Sequence, residues 1–368
     1  MAGQTYYLPV DTLQHFMQDV FIGVGVPPAD AILCSQVLIA SDLRGIESHG
    51  IGRLKMYYDR IKVRQQEPVT QVEIVRQAPA TAVIDGHNGM GMVVGVRAME
   101  LAIEKARQYG MGSVAVRNSN HFGIDGYYAR MAIQAGMIGM SFTNARPSIA
   151  PTFGVQPMLG TNPIAFGCPT DEECPFLFDA ATSITQRGKF EVLQREEKDG
   201  RPGWAIDQQG NFLIDANQVL AGLGKDTAAL LPLGGAGDEF GGHKGYSLAT
   251  MVEILCASLQ SGVFLLDLLG LDAAGNRQPF RIGHFFMAIH IESFTALDDF
   301  KKTTGDIIRQ LRQSHKAPGQ ERIYTAGEKE YETEKRVRQQ GVPVIPNLQK
   351  AMKVMQSELN LTQYQFPF

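Results

Sequence analysis

Two histidines, an arginine and a tyrosine are the residues of this chain best suited to moving a proton beside a bound anion. His121 lies in Asn118-Ser119-Asn120-His121-Phe122-Gly123, directly after the apolar run 113–117. A histidine delivered to a strand end by small, polar and glycine neighbours sits where open α/β sheets hold ligands, outside the carboxyl ends of their strands. Imidazole also has the unperturbed pKa nearest neutrality. The alternative is a loop histidine that only hydrogen-bonds its own turn. The second histidine lies in Ser48-His49-Gly50-Ile51-Gly52-Arg53, and Tyr57 follows Arg53 one helical turn later on a common face. Arginine offers a carboxylate a fork that lysine lacks. Alone, Arg53 reads equally well as a surface cation beside an aromatic ring.

Several polar loops accompany these residues. Gly160-Thr161-Asn162-Pro163 is a turn-rich tetrad, and Asp179-Ala180-Ala181-Thr182-Ser183 follows the strand-like 176–178 with hydroxyls and backbone N–H groups in series. The second of these also reads as an N-capped turn. Gly86, Gly89, Gly91 and Gly95 fall close to a dinucleotide fingerprint, but Arg117-Asn118 stands where a ribose-reading acid is expected. Turn and packing duty explains those glycines equally well. In 237–245 the lysine is displaced by one residue from P-loop spacing, Gly245 follows it, and Asp238 and Glu239 would repel a triphosphate. Lys244 remains as an anion contact at a helix N-terminus. Together these parts suit oxidation of a small hydroxy-carboxylate, which needs a proton acceptor, a cation for the carboxylate and a cofactor to take a hydride.

The elements that must position these residues divide by pattern. The first 70 residues read as helices: Val10, Leu13, Phe16, Met17 and Val20 fall on one face, a second helix runs from Pro27-Pro28 to Asp42, and a third contains Arg53, Met56 and Tyr57. Strand-like runs follow at 72–75, 81–85, 113–117, 138–143 and 176–179, interleaved with helical patterns at 92–109 and 126–135. A further helix is expected over 246–259, and a strand over 285–291 closes this part. The remainder is helical and charged. Its run 328–338 reads as a solvated face, and its last helix carries Leu348, Met352, Met355 and Leu359. The expected fold is therefore α/β over 71–299, with a mainly helical domain from 1–70 and 300–368.

Composition narrows the function. A chain of 368 residues has room for two or three domains, and a net charge of −4 leaves no basic footprint for nucleic acid or an anionic membrane. No apolar run approaches the roughly 20 residues that span a bilayer, and no signal peptide is expected at the start. Cys34, Cys168, Cys174 and Cys256 are scattered, without disulfide or zinc spacing, and Cys34 and Cys256 read as core residues. The expected protein is soluble and cytoplasmic, with no metal.

Seven stretches, taken in order, resemble one family. They are Asp42-Leu43-Arg44-Gly45-Ile46-Glu47-Ser48-His49-Gly50, Arg117 to Gly123, Gly160-Thr161-Asn162-Pro163, Ala181-Thr182-Ser183 with Arg187-Gly188-Lys189, Leu231-Pro232-Leu233-Gly234-Gly235, Lys244-Gly245-Tyr246 and Ala326-Gly327-Glu328. Over most of its length the chain resembles the type 2 malate/L-lactate dehydrogenases, which also include sulfolactate, ureidoglycolate and diketogulonate enzymes. The resemblance implies a homodimer with an atypical, non-Rossmann nucleotide-binding domain around a mixed sheet. It also implies NAD- or NADP-dependent interconversion of a 2-hydroxy and a 2-oxo acid. Positions matching Asp179, Ala181, Thr182, Ser183, Lys244, Gly327 and Glu328 contact the cofactor, and those matching Ser48, Arg53 and Tyr57 line the substrate pocket. His121 is expected as the acid–base, with His49 as its partner or rival. Asn144, Thr161 and Asn162 join the pocket, and Arg146 offers a fork for a second carboxylate. L-Malate is the favoured substrate because a dicarboxylate suits two arginines; L-lactate, sulfolactate and ureidoglycolate are the alternatives. From another class, the chain could be a non-catalytic nucleotide-binding protein. Three departures from the family pattern are Ala326 for a proline, Asp125 for a small residue, and Ala145-Arg146 after Asn144.

Overall fold

Leu13, Phe16, Met17 and Val20 recur at helical spacing and are fully buried on α1 (Val10–Gly23). Pro28 opens α2 (Pro28–Leu43), where its missing N–H costs nothing, and α3 (Leu54–Lys62) follows a 3-10 turn that contains Arg53. The computed structural model describes residues 4–368. A short strand β1 (Tyr6–Leu8) pairs antiparallel with β11 (Val342–Val344), and α11 (Pro346–Glu358) sends Met352 and Met355 into the same apolar cluster as α1 to α3. The two terminal segments thus share one core.

The middle of the chain builds a seven-stranded sheet. Its strands are β2 (Glu73–Gln77), β3 (Thr81–Asp85), β4 (Met111–Ser119), β5 (Met137–Thr143), β6 (Ile164–Cys168), β7 (Phe176–Ala180) and β10 (Ile282–His290), in the spatial order β2-β3-β4-β10-β5-β6-β7. Only β3 and β4 pair in parallel, so the sheet is mixed, as expected. Strand alternation supplies its two faces. Val114, Val116, Phe286 and Ala288 pack against α4 (Gly91–Tyr109) and α5 (Gly126–Gln134). Ala115, Phe142 and Phe285 meet Val252 and Cys256 of α8 (Gly242–Ala257) on the other face. Cys34 and Cys256 are buried and free, as their apolar settings predicted.

A separate cluster around Phe190, Val219 and Leu230 gathers α6 (Arg187–Arg195), α7 (Ala216–Gly224), β8 (Ala205–Asp207) and β9 (Ala228–Leu230). Beyond the sheet, α9 (Leu297–Gln313) and α10 (Glu328–Gln340) carry the charged stretch. Glu328 departs from a solvated face: it is 6% exposed, with Arg312 Nη1 at 2.7 Å. No helix of the described residues is long and apolar enough to cross a membrane.

Register places one edge of the sheet at the chemistry. Ser119 lies opposite Ile282, Thr143 opposite His284, and Ile164 opposite Ala180. The carboxyl ends of β4, β5 and β7 therefore open on the same side, where ligands bind in open α/β sheets.

Candidate active site

Along that edge lies a cleft of about 160 Å³, lined by Ser48, His49, His121, Gly123, Asp125, Thr143, Asn144, Thr161, Asp179, Ala181 and Ile282 among others. Its two histidine segments are held by close approach. The buried Asp42 at the end of α2 accepts the Ile51 N–H at 2.8 Å, and a Cβ on Gly50 would collide with that carboxylate. Only glycine lets the Ser48-His49-Gly50 turn fold back so tightly. The glycines before α4 do the same for the other segment. Gly91 packs under the backbone of Asn120 and His121, and Asn120 Nδ2 donates to Asn88 O at 2.9 Å and Gly89 O at 3.0 Å. The imperfect fingerprint is a seat for the histidine loop. Its helix N-terminus is covered by that loop.

His121 is fixed through Nδ1. Tyr57 Oη lies 2.6 Å from this nitrogen, and the Gly123 N–H donates to it at 3.3 Å. Nε2 is left as the ring nitrogen available to a ligand. With the Tyr57 hydroxyl and the Gly123 N–H both pointed at Nδ1, the ring proton resides on Nε2, the form that can donate to a ketone. The form that accepts a hydroxyl proton at Nε2 carries its own proton on Nδ1, donated to Tyr57 Oη in place of the Gly123 contact. Burial, with His49, Arg53 and Arg60 nearby, holds the His121 pKa well below the usual imidazole range. His49 stacks on His121 with centroids 5.4 Å apart, and Ser48 Oγ lies 2.8 Å from His49 Nδ1. Burial and Arg53 push the His49 pKa down to about 4. Both rings are thus neutral at pH 7.

Behind the loop, Phe122 stacks on the buried His284, with centroids 4.3 Å apart. Thr143 Oγ1 lies 2.8 Å from His284 Nδ1, and Ser119 Oγ lies 2.9 Å from its Nε2. His284 therefore ties the ends of β4 and β5 together beneath His121.

Arg53 Nε donates to Ser48 O at 2.6 Å, which turns its guanidinium toward the histidines. Arg146 is exposed, and no ion pair of the described residues includes either arginine. Asn144 and Thr161 line the cleft, whereas Asn162 is fully buried behind it. Asn162 Nδ2 donates to Ala249 O at 3.0 Å and to Glu253 Oε2 at 2.8 Å, which ties that nitrogen to the framework, while its buried Oδ1 has no partner.

On the opposite wall stand two acids. Asp179 accepts the Gly126 N–H at 2.7 Å, and the buried Asp125 accepts from Ser141 Oγ while its Oδ2 has no partner. Burial raises the Asp125 pKa, and the charge of the more exposed Asp179 raises it further. Beyond Ala181 the chain turns inward: the Thr182 hydroxyl donates to Asn162 O at 2.9 Å and the Ser183 hydroxyl to Thr185 O at 2.8 Å. Lys244 is exposed in the first turn of α8, and Gly245 packs under Leu233, whose N–H donates to Thr182 O at 2.8 Å. Gly327 lies against Leu177 of β7 and lines a second cavity of about 260 Å³ with Arg44, Arg130 and Glu330. Glu328 is held away from both cavities by Arg312 and the Thr325 N–H.

Sequence reasoning thus found the histidines, Arg53 and Tyr57 as one group. It missed Arg60, Glu253 and His284 as members of the site, and it noted Asp125 only as a departure. For Arg60 the signal was present: it follows Tyr57 by three positions on the same helical face.

Residues 8–353 match the family model described as malate/L-lactate dehydrogenase. The chain is 45% identical over 337 residues to the malate dehydrogenase of Pyrococcus abyssi, covering 92% of this chain and 90% of that one. It is 38% identical over 346 residues to the L-sulfolactate dehydrogenase of Methanocaldococcus jannaschii, covering 93% and 94%. The crystal structure of malate dehydrogenase from Entamoeba histolytica superposes with a TM-score of 0.93 at 45% identity, over 99% of this chain and all of the other. With its two-histidine cleft at the carboxyl edge of a mixed sheet, the chain belongs to the malate/L-lactate dehydrogenase family.

Proposed function

We propose that this chain is a malate dehydrogenase, interconverting L-malate and oxaloacetate, with His121 as the acid–base. The observation that carries the reading is His121 itself: Nδ1 is engaged by Tyr57 at 2.6 Å, the ring is neutral, and unpaired guanidinium groups stand beside it. Neutral Nε2 accepts the hydroxyl proton as the alcohol becomes a ketone, and in reverse the imidazolium returns it. Arg53 grips the carboxylate next to the reacting carbon, with Ser48 and His49 orienting the group, and Arg146 faces the second carboxylate. Relatives named malate dehydrogenase favour this substrate over lactate, sulfolactate or ureidoglycolate.

A nicotinamide cofactor, NAD or NADP, supplies the hydride acceptor when bound. The residues present fit it: the Asp179 carboxylate, with the raised-pKa carboxyl of Asp125 and its unpartnered Oδ2 beside it, suits a cationic ring, which would draw Asp125 back toward its charged form. Asp179 and Ala181, with the adjoining Thr182, Ser183 and Lys244, would hold the cofactor. Gly327, with Glu328 behind it, would do so at the far end of β7. We read the working unit as a cytoplasmic homodimer. Exposed Leu248, Met251 and Ile254 on α8 offer an apolar surface for it, and the molecular mass in solution checks it.

The test is absorbance at the reduced-nicotinamide band with oxaloacetate, pyruvate and sulfopyruvate, each with NADH and NADPH. Oxaloacetate is expected to give the highest kcat/KM. Cofactor binding without turnover of any oxo acid would favour the non-catalytic reading.

A further inference from the structure

Positions 53, 57 and 60 recur at i, i+4 and i+7, which puts Arg53, Tyr57 and Arg60 on one face at the start of and along α3. Tyr57 reaches His121, so the same face brings Arg60 to the histidines, and His121 feels its charge. Arg60 Nη1 is buried without a hydrogen-bond partner. The guanidinium lies over Phe280, 4.3 Å from the ring centroid. That contact supplies no oxygen acceptor to the guanidinium N–H donors. The titratable groups that act on Arg60 are Tyr57, whose buried phenol stays neutral, and the repulsive Arg53 and Arg146, and no ion pair among the described residues includes any of the three arginines.

Like charges gathered around a buried donor with no internal counter-ion are unfavourable unless an anion completes them. A single carboxylate is already provided for by Arg53. Arg53 and Arg60 stand two helical turns apart on one face, and their guanidinium groups are near enough to feel each other's charge, which suits a ligand with two anionic groups a few bonds apart. We propose that Arg60 is a specificity-determining residue that, with Arg146, binds the second anionic group of the substrate. This rests on the dehydrogenase reading above, and it places discrimination between dicarboxylates and monocarboxylates in Arg60.

The experiment compares wild type with Arg60→Gln and Arg60→Lys. It measures kcat/KM for oxaloacetate and pyruvate, and also the stabilisation of the cofactor-free protein by malonate against acetate. In Arg60→Gln the oxaloacetate-to-pyruvate ratio is expected to fall about a hundredfold, in line with loss of a hydrogen-bonded substrate group. Malonate should lose its advantage over acetate, and Arg60→Lys should lie between. Equal losses on both oxo acids, or an undiminished malonate advantage, would overturn the proposal. A wild type that binds malonate through Arg60 yet reduces neither oxo acid supports the anion site and rejects the dehydrogenase reading alone. Should Arg60→Gln fail to fold, Arg60→Lys carries the same comparison.

Discussion

Tyr57 Oη and His121 Nδ1 lie 2.6 Å apart although 64 positions separate them in the chain. The bond joins the helical segment that carries the arginines to the sheet edge that carries the acid–base. Burial raises the Tyr57 pKa, so the hydroxyl keeps its proton and can orient the imidazole throughout the cycle. Tyr57→Phe removes this bond together with the hydroxyl's contact to the Gly123 backbone and leaves the ring in place. A hydrogen bond to a group that becomes charged is worth about 1.5–3 kcal/mol, so kcat should fall roughly ten- to a hundredfold while the melting temperature changes little. An unchanged kcat would remove Tyr57 from the proton-transfer group.

The pH profiles should separate. In the free enzyme burial, with His49, Arg53 and Arg60, holds the His121 pKa well below its usual 6.5. An anionic substrate neutralises the arginines and removes part of that repulsion, so the pKa rises in the complex. For alcohol oxidation, activity is lost as pH falls through this pKa. The acid limb of kcat should therefore lie at higher pH than that of kcat/KM, which reports the free enzyme. Coincident limbs would contradict the charge assignment.

Glu253 holds the floor of the cleft. Its carboxylate accepts from Asn162 Nδ2 at 2.8 Å, from the Leu265 N–H at 3.0 Å and from Asn144 Nδ2 at 3.3 Å. Glu253→Ala leaves these donors unsatisfied and should cost about 3 kcal/mol or more in denaturant unfolding, with a raised KM. Glu253→Gln, which still offers one acceptor oxygen, should cost less. Equal stability of Glu253→Ala and wild type would show that other groups satisfy the donors.

What the sequence disclosed and what it hid follow from range. Arg53 and Tyr57 were legible because helix spacing is local, and His121 because a polar glycine segment follows an apolar run. Arg60 shares that local helical spacing and was legible in principle; only its contact with Phe280 and its proximity to Arg146 depend on distant loops. A polar turn does not disclose which way the Asn162 amide points: its Nδ2 is spent on Ala249 and Glu253, while its buried Oδ1 has no partner. β10 was read as a closing strand, yet it inserts between β4 and β5, where Phe286 and Ala288 complete the face packed on α4 and α5. β8 and β9 are only three residues each and carry no usable periodicity.

The most direct test of the account compares His121→Gln with His49→Gln in single-turnover reduction of oxaloacetate, with cofactor affinity measured separately by nucleotide fluorescence. Loss of a general acid–base costs about 10²- to 10⁴-fold. His121→Gln is predicted to show that loss in rate with cofactor affinity retained, and His49→Gln a smaller loss weighted toward KM. A His121→Gln variant that turns over at the wild-type rate while His49→Gln is inactive would contradict the assignment and move proton transfer to His49.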